Sequence, residues 1–269
     1  MTKVIGRKSE LDRIERAILL GRNILLEGPV GVGKTFLVLE ILRKMKRSFE
    51  RVDGDTRYSE QKLTGWFDPP IVLKKGYIKE AFVDGPLSIA MKKGGVLFVN
   101  ELNRMPEAVQ NILLPAMDER LITIPKLGSA HAKEGFLVIA TQNPREFTAT
   151  HALSEALMDR FEMVRLDYQP RDEELEILSM AWPKGTPHKE ETLDLVRGTR
   201  QHPMIKRGAS IRAAIAVGRL LQGGMDIETA LLMALPGRIE LVSSDEDAAQ
   251  IIFSLFKNPQ SIQKKKGQI

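Results

Sequence analysis

The chain has 269 residues, of which 43% are hydrophobic and 28% are charged, and it contains no cysteine. This composition is typical of a globular protein, and the lack of cysteine excludes disulfides, thiolate metal sites and cysteine nucleophiles. No apolar run approaches the ~18 residues that a membrane-spanning helix needs. The first ten residues, MTKVIGRKSE, lack the apolar segment of a signal peptide. We therefore expect a soluble, cytoplasmic protein.

The basic character of the chain is concentrated at its end. Lys and Arg total 40 against 35 Asp and Glu, which gives a formal net charge of +5. Residues 257–269, KNPQSIQKKKGQI, hold four Lys and no acid, so the remaining body carries only +1. Because nucleic-acid binding needs a clustered basic face, the near-neutral body argues against it. The tail is either a solvated end or a contact for an acidic partner or nucleic acid.

The first recognisable elements are a strand, a glycine-rich loop and a helix, in that order. The run NILLE at residues 23–27 predicts a short buried strand. It leads directly into GPVGVGKT at residues 28–35. The following FLVLEILRKMK has apolar residues at helical spacing and ends in basic residues, which suit a helix C-terminus.

The middle of the chain continues with strands and helices of uneven clarity. TGWFDPPIVLKKGY, residues 64–77, is rich in turn formers and aromatics and predicts an excursion from the main fold. VLFV, residues 96–99, predicts a second buried strand. PEAVQNILLPAMDER, residues 106–120, predicts a helix that is opened by Pro106 and kinked or shortened at Pro115.

Strand patterns continue up to about residue 169, and helical patterns follow Pro170. LITI (121–124) and FLVIAT (136–141) predict two strands joined by a polar loop, and LSEALMDRF and MVRLDY then predict a helix and a strand. Beyond Pro170 the patterns are helical, without a convincing strand: DEELEILSMAW, ETLDLVRGTR, SIRAAIAVGRLL, IETALLMAL and EDAAQIIFSLF. We predict an α/β domain with a parallel sheet over residues 1–169, a small all-helical domain over 170–256, and a flexible basic tail over 257–269.

The glycine-rich loop satisfies the Walker A pattern G-x-x-x-x-G-K-[ST], with a strand before it and a helix after it. Glycines allow backbone N–H groups to converge on phosphate oxygens, and the helix N-terminus favours negative charge. Lys34 would neutralise the β- and γ-phosphates of ATP, and the Thr35 hydroxyl would bind Mg²⁺. The alternative is an ordinary glycine-rich turn. The predicted nucleotide-binding residues are Gly28, Pro29, Val30, Gly31, Val32, Gly33, Lys34, Thr35 and Phe36.

The second predicted strand ends in an amide and then an acid, in GGVLFVNELNR. With a phosphate loop in the chain, such a strand end normally presents an Asp to the hydration shell of Mg²⁺ and a Glu to the attacking water. Glu101 fills the second position, whereas Asn100 occupies the first. The amide oxygen of Asn100 can accept a hydrogen bond from a magnesium-bound water but brings no charge. Because losing such a partner typically costs ~10–100-fold in metal affinity, we predict that Mg-ATP binding is weakened but survives and that hydrolysis is slow or conditional. The alternative is that Asn100 is only a strand-end cap without a metal role.

Six motifs in order resemble the MoxR-type AAA+ ATPases, which carry an insert in helix 2. They are GPVGVGKT, VLFVNELNR, PEAVQNILLPAMDERLITI, ATQNP, LSEALMDRF and GASIRAA, and the resemblance covers residues ~4 to ~222. The resemblance implies an AAA+ nucleotide-binding domain followed by a helical lid. It also places the excursion TGWFDPPIVLKKGY at the insert, and LITIPKLGSAHAKEGF at a hairpin that faces the central pore of a ring.

The resemblance also implies roles for individual residues. Asn143 would be the sensor 1 residue that helps to hold the attacking water. Arg160 would be the arginine finger that reaches a neighbouring subunit's γ-phosphate, and Arg212 the sensor 2 arginine of the lid. The residues matching the segment near adenine are Val4, Ile5 and Gly6. Taken singly, each arginine could instead form a surface ion pair, and Asn143, which precedes Pro144, could be a strand-end turn residue.

Some features depart from the family or stay open. The family usually has Asp at the position of Asn100 and Pro at that of Ile211. The first of these differences argues against efficient ATP hydrolysis by this chain. Trp66 and Phe67 either grip a client or bury one of the two rings against the main body. Arg104 is either an intersubunit contact or a solvated residue. The four histidines, at positions 131, 151, 188 and 202, show no metal-ligand spacing, and His131 is expected to be exposed.

Three functions are compatible with these motifs. The first is an ATPase that forms a homo-oligomeric ring, a hexamer by resemblance, and remodels or matures a protein client. Relatives of this type often act with von Willebrand factor A-domain proteins, and for this chain the resemblance implies that such a partner would be a separate protein. The second is a nucleotide-gated scaffold that hydrolyses little ATP because of Asn100. The third is a DNA-dependent motor, against which the near-neutral body argues.

Overall fold

The computed structural model describes residues 4–143, 151–243 and 247–257. The chain divides into two compact units. An α/β unit comprises Arg7–Pro29 and Gly33–Asp167, and a helical unit comprises the described residues of Met1–Gly6, Val30–Val32 and Tyr168–Ile269. The basic tail predicted from position 257 lies outside the described residues, apart from Lys257, and so does Pro144.

The α/β unit is built on a five-stranded parallel sheet with the order β2-β5-β8-β1-β9. This confirms the α/β fold with a parallel sheet. The strands of the unit are β1 (Ile24–Glu27), β2 (Phe49–Asp53), β3 (Gly65–Phe67), β4 (Phe82–Asp84), β5 (Val96–Asn100), β6 (Leu121–Ile124), β7 (Gly128–His131), β8 (Leu137–Gln142) and β9 (Glu162–Arg165). The sequence patterns missed β2, since only one of its five residues, Val52, is buried.

The central strands are buried on both faces, as expected when helices cover a parallel sheet. All six residues of β8 are buried, and so are the first four of β5. Polar residues begin where the strands end. The register sets Asp53 beside Asn100 and Glu27 beside Gln142, at the carboxyl edge of the sheet. In open α/β sheets this edge is where ligands bind.

Short helices surround the sheet and connect its strands. They are α1 (Lys8–Leu19), α2 (Lys34–Lys44), α3 (Glu60–Thr64), α4 (Pro69–Lys75), α5 (Pro86–Lys93), α6 (Glu107–Asn111), α7 (Leu113–Asp118) and α8 (Glu155–Met158). The single helix predicted for 106–120 is divided at Ile112. Pro115 has no N–H to donate to the carbonyl of Asn111, so the interruption expected from this proline is confirmed.

Two antiparallel hairpins lie outside the main sheet. β3 pairs with β4, which confirms that the aromatic segment after Thr64 leaves the main fold. β6 pairs with β7, in the register Leu121 opposite His131. The stretch expected to be a polar loop between two strands therefore contains a strand of its own. The residue pattern missed β7 because GSAH has small or polar residues and no apolar alternation. The family resemblance, by contrast, predicted a hairpin over this segment, and the pairing of β6 with β7 confirms it.

The helical unit packs a separate hydrophobic core, which includes Leu178, Trp182 and Val217. Its elements are α9 (Arg171–Ala181), α10 (Lys189–Thr199), β10 (Ile205–Arg207), α11 (Ile211–Gln222), α12 (Ile227–Ala234), β11 (Glu240–Leu241) and α13 (Ala248–Lys257). Its helical character is confirmed. The expectation that it has no strand was wrong, because β10 and β11 form a short antiparallel ribbon. Strands of three and two residues are too short to leave a periodic signal.

A buried ionic cluster ties the helical unit together. Glu174 on α9, only 4% exposed, accepts hydrogen bonds from Arg197 and Arg200. Arg200 also stacks 3.8 Å from the centroid of the Tyr168 ring and donates to the carbonyl of Ala209 at 2.9 Å. Burial lowers the pKa of Arg200, while the charge of Glu174 opposes that shift. The cluster joins α9 and α10 to the residues that precede α11.

Within the described part of the chain, none of the helices is both long enough and apolar enough to cross a membrane.

Candidate functional site

The phosphate loop lies between β1 and α2, at the carboxyl edge of the sheet. Helix α2 begins at Lys34, directly after Gly33. Gly31 and Gly33 have φ values of +82° and +93°, which side chains with a Cβ rarely adopt. Gly33 brings no side chain to cap the first turn of α2, so the amides of that turn face the loop without a competing carboxylate or hydroxyl from the capping position. Such an arrangement is typical of anion-binding loops.

Lys34 is folded beneath this loop rather than extended into solvent. Its side chain is 9% exposed, and its Nζ donates hydrogen bonds to the carbonyls of Gly28 at 2.6 Å and Pro29 at 2.9 Å. A nearly buried ammonium group needs acceptors of this kind because desolvation penalises its charge. The carbonyls at the start of the loop therefore hold the Lys34 ammonium group within the loop itself, where a bound phosphate would need a cation.

Close packing also requires glycine at positions 28 and 31 of the loop. A Cβ on Gly28 would lie 2.2 Å from the carbonyl oxygen of Leu166, within the α/β unit. A Cβ on Gly31 would lie 2.3 Å from the Cβ of Ser210, within the helical unit. Neither position has room for a side chain. Of the other predicted loop residues, Val32 is buried and Phe36 is 39% exposed.

A hydrogen-bond network joins α2 to β5 and β8 around Asn100. The Thr35 hydroxyl donates to Asn100 Oδ1 at 2.6 Å, and the Thr141 hydroxyl donates to the same oxygen at 3.1 Å. The backbone N–H of Glu101 in turn donates to Thr141 Oγ1 at 2.9 Å. Asn100 Nδ2 donates to Asp53 Oδ1 at 2.9 Å. Sequence patterns missed Thr141 and Asp53, although both stand at or beside strand ends on this edge.

The donor atoms gathered here suit a magnesium ion. Thr35 Oγ1 donates its hydrogen to Asn100 and keeps lone pairs for a cation. The other candidate groups are the Asn100 amide oxygen and the Asp53 carboxylate, so all are oxygen donors, which Mg²⁺ prefers. Magnesium usually combines a few such protein groups with substrate phosphates and waters. Thr35 would contact the ion directly, and Asn100 would act through a water.

Glu101 lies immediately after β5 in an unusual backbone conformation. Its φ of +59° is uncommon for a residue with a side chain, and such outliers cluster at functional sites. Its carboxylate accepts a hydrogen bond from Arg104 Nη1 at 3.0 Å. Arg104 therefore forms an ion pair within its own chain. The carboxylate is about one-third exposed, so it stays accessible to water.

A buried contact links the segment after Glu101 to Asn143. Asn103 is 6% exposed, and its Nδ2 donates to the backbone carbonyl of Asn143 at 3.2 Å. Asn143 itself is 5% exposed and follows β8. Within the described residues Asn103 Oδ1 is a buried acceptor without a hydrogen-bond partner. Asn143 is recognisable from its motif in the sequence, whereas Asn103 is not, since NELNR offers no periodic signal for it.

Arg160 follows α8 and is held by an acid of its own chain. Its Nε donates to Asp118 Oδ2 at 2.6 Å, and it also donates to the backbone carbonyl of Ala156. The side chain remains 31% exposed. Arg160 is thus paired with Asp118, at the end of α7 of its own chain.

The remaining predicted nucleotide residues belong to the helical unit. Ile5 is 9% exposed, and its carbonyl accepts a hydrogen bond from Gln169 Nε2 at 2.8 Å. A Cβ on Gly6 would lie 2.1 Å from Glu173 Oε2, so this glycine is fixed against α9. Val4 is half-buried. Arg212 is exposed in the first turn of α11.

The two adjacent aromatics of the excursion have different environments. Phe67 packs edge-to-face against Tyr77 and Phe82, with ring centroids 5.0 and 5.2 Å away, and joins the main core. Trp66 is 46% exposed. Phe67 is therefore partly buried against the main core, in the direction of the second alternative, whereas Trp66 lies at the surface. His131, on β7, is exposed as expected.

These features define a P-loop nucleoside-triphosphatase fold. The sheet is parallel, a Walker A loop lies at its carboxyl edge, and the loop's threonine is hydrogen-bonded to a polar strand end. Comparison with protein families makes the class narrower. Residues 23–161, just over half of the chain, match the AAA domain of the dynein-related subfamily. The chain belongs to this family of AAA ATPases, which confirms the AAA+ recognition made from the motifs.

Individual relatives support the same assignment. The chain is 29% identical over 225 residues to the gas vesicle ATPase GvpN1 of Halobacterium salinarum, covering 74% of this chain and 65% of that protein. It is 31% identical over 249 residues to an uncharacterized protein of Staphylococcus epidermidis, covering 88% of this chain and 90% of the relative. A crystal structure of a candidate ATPase from Cytophaga hutchinsonii matches with a TM-score of 0.52 and 25% identity, covering 94% of this chain and 90% of that one. The chain thus spans about two thirds of the gas vesicle ATPase.

Proposed function

We propose that the protein is a MoxR-type AAA+ ATPase that binds Mg-ATP and uses its hydrolysis to remodel or mature a protein client. The single observation that carries this proposal is the 2.6 Å hydrogen bond from Thr35 to Asn100, which joins the phosphate loop to the end of β5. A glycine-rich turn without a nucleotide role has no need to hold its threonine against a polar strand end. The AAA family match supports the same reading.

The roles of the site residues follow from their positions. Lys34 and the loop amides would hold the phosphates, and Thr35 with Asn100 would hold magnesium, which neutralises charge on the phosphates. Glu101 would polarise the attacking water, for which its one-third-exposed carboxylate is accessible. Asn143, fixed through its backbone by Asn103, would help to position that water.

We include assembly into a ring because the side chains of Arg160 and Arg212 are partly or fully exposed and could contact a nucleotide phosphate. Arg160 is bonded to Asp118 and Ala156, at an exposed surface, so it can exchange Asp118 for a phosphate of a neighbouring subunit. An arginine supplied in this way is worth ~10³–10⁵ in rate in other nucleotide hydrolases. Arg212, exposed on α11, would be the sensor 2 arginine that the family resemblance implies.

The client would meet the hairpin β6–β7 or the exposed Trp66 of the excursion. Most residues of β7 are exposed, and Trp66 shows 46% of its surface. The relatives named gas vesicle ATPases connect an ATPase of this type with one particular cell structure, which supports a role in maturation rather than in small-molecule chemistry. A separate von Willebrand factor A-domain protein is the partner that the family resemblance suggests.

A second candidate function is a scaffold that binds ATP, assembles and hydrolyses little of it. The specific observation in its favour is Asn100, which replaces a charged group with an amide at the metal site. Slow turnover would then keep subunits in the ATP-bound form.

Phosphate release by the purified chain, measured with Mg-ATP, tests the proposal and separates the two functions. Glu101→Gln should lower turnover by ~10²-fold or more while ATP binding persists. Glu107→Gln, an exposed acid on α6, serves as the matched control and should change neither quantity. Equal, near-zero turnover in the native and Glu101→Gln proteins with intact ATP binding would favour the scaffold. Absence of ATP binding would overturn both functions.

A further inference from the structure

The side-chain amide of Asn100 has a fixed orientation, because a hydrogen-bond acceptor lies on one side of it and two hydroxyl donors lie on the other. Its Nδ2 faces the carboxylate of Asp53 at 2.9 Å, and a carboxylate can only accept. Its Oδ1 faces the hydroxyls of Thr35 and Thr141 at 2.6 and 3.1 Å. Turning the amide over would set oxygen against the Asp53 carboxylate and would remove the acceptor from Thr35. Asp53 therefore decides which end of the amide points to the phosphate loop.

The negative charge expected at the end of β5 is carried instead by Asp53 on the adjacent strand, β2. The parallel register sets Asp53, the last residue of β2, directly beside Asn100, the last residue of β5. A hydrogen bond from an amide N–H to an ionised carboxylate is stronger than one between neutral groups, and it polarises the amide so that its oxygen becomes a better acceptor. One amide group separates the charge of Asp53 from the Thr35 hydroxyl.

The close approach of the two strand ends is built into the backbone. The N–H of Gly54 donates to the carbonyl of Asn100 at 2.7 Å, which extends the pairing one residue beyond Asp53. A Cβ on Gly54 would lie 2.1 Å from the carbonyl oxygen of Glu101, so only glycine allows this contact. The backbone thus holds Asp53 against Asn100 independently of their side-chain hydrogen bond.

A cation competes for Asp53 without removing it from Asn100. Arg51 Nη2 lies 2.7 Å from Asp53 Oδ1, the same oxygen that Asn100 contacts. The two side chains are 40% and 58% exposed, and ion pairs at such exposure contribute little. Arg51 therefore leaves Asp53 as the acceptor of the Asn100 amide.

We propose that Asp53 is a positioning residue of the magnesium–nucleotide site: it orients the Asn100 amide and supplies, from the neighbouring strand, the negative charge that Asn100 lacks. This inference rests on the proposed ATP-binding function. It implies that Asn100 is one half of a two-residue replacement for an acid, and that the pair preserves a metal site that a lone amide would weaken.

Calorimetric titration of ATP into the full chain, once with Mg²⁺ and once with EDTA, tests the proposal through the ratio of the two affinities. Asp53→Asn should lower this magnesium-dependent ratio by ~10–100-fold, the usual cost of losing an outer partner of a metal site. Its affinity for ATP in EDTA should stay within ~2-fold of that of the native protein. Asp55→Asn, the loss of an exposed carboxylate that pairs with Arg57, is the control and should leave the ratio unchanged.

The exchange variant Asp53→Asn/Asn100→Asp moves the charge back to β5 and should restore the ratio. Asn100→Asp alone sets two carboxylates face to face, so its effect and that of Asp53→Asn should be strongly non-additive in the double variant. Mn²⁺ bound in the presence of a non-hydrolysable ATP analogue, followed by electron paramagnetic resonance, gives a second readout that does not involve turnover.

The outcomes separate this inference from the proposed function. A native protein that fails to bind ATP in either solution overturns the proposed function itself. Native binding together with an Asp53→Asn ratio equal to that of Asp55→Asn overturns only the role of Asp53, and so does an exchange variant no better than Asp53→Asn. Asp53 is exposed on an edge strand, so circular dichroism should show all variants folded.

Discussion

Thr35 on α2 and Asn100 at the end of β5 share a hydrogen bond of 2.6 Å between Thr35 Oγ1 and Asn100 Oδ1. The bond connects the phosphate loop with the strand that carries Glu101, although 65 residues separate the two partners. It also shows that an amide at this position keeps the acceptor that a carboxylate would provide. The difference between the two groups is therefore charge and not hydrogen-bonding geometry.

Removing the Thr35 hydroxyl should weaken the metal site without opening the phosphate loop. Thr35→Val keeps the branched shape but loses the donor to Asn100 and the oxygen that would bind magnesium. We expect ATP affinity in Mg²⁺ to fall ~10–100-fold, with little change in EDTA, as measured by calorimetry. Thr35→Ser retains the hydroxyl and should behave almost like the native protein. Equal affinities for the Ser and Val variants would contradict a metal role for Thr35.

The ion pair between Arg160 and Asp118 should restrain an arginine that acts on a neighbouring subunit. Asp118→Asn releases Arg160 from a partly exposed pair worth ~0.2–1 kcal/mol. We expect the protein concentration that gives half-maximal specific ATPase activity to fall by up to ~5-fold in this variant. Arg160→Ala should abolish the dependence on concentration together with most of the activity. Specific activity that stays constant on dilution of the native protein to nanomolar levels would rule out a shared site.

The phenol of Tyr58 reports independently on the charge of Asp53. Its pKa is raised above the usual value, first by partial burial and second by the charge of Asp53. Asp53→Asn removes the second cause, so the pKa of Tyr58 should move down toward ~10, its unperturbed value. The tyrosinate absorbance of the folded protein measures this shift, and Tyr58→Phe identifies which of the three tyrosines is responsible.

The sign of the accompanying stability effect follows from the raised pKa. A group that binds its proton more tightly in the folded state gives its full stabilisation below the unfolded pKa, here ~10. That stabilisation is lost as the pH rises through the folded pKa. Asp53→Asn should therefore reduce the part of the alkaline destabilisation that is due to Tyr58. An unchanged tyrosine titration would show that the carboxylate does not act on this part of the α/β unit.

The helical unit should depend strongly on Glu174. This carboxylate is 4% exposed and accepts hydrogen bonds from Arg197 and Arg200, so Glu174→Ala leaves two guanidinium groups without their shared acid. Breaking a buried pair by removing one partner typically costs ~3–5 kcal/mol. Urea unfolding should show a loss of this size, whereas Glu176→Ala, an exposed acid on the same helix, should change stability by less than ~0.5 kcal/mol. Similar losses for both variants would contradict the cluster's role.

Much of the fold followed from local pattern. The apolar runs at β1, β5 and β8 predicted buried parallel strands, because strands that are covered on both faces need an unbroken hydrophobic sequence. The proline in LLPAMD predicted the interruption between α6 and α7, because proline has no backbone N–H to donate to the helix. By contrast, residue patterns did not predict β2 or β7, since edge and hairpin strands carry few buried residues and obtain their pairing from the rest of the fold. The hairpin that contains β7 was expected only from the family resemblance.

The candidate site divides in the same way between sequence and tertiary structure. The sequence by itself determined the phosphate loop, because its chemistry depends on glycines and a lysine that are adjacent in the chain, and it identified Asn100 as a departure from an acid. Only the tertiary structure could show that Asp53 faces the amide of Asn100, that Thr141 supports it and that Asp118 holds Arg160. These contacts join residues 41 to 47 positions apart, and strand register and helix packing, rather than any local spacing, bring them together.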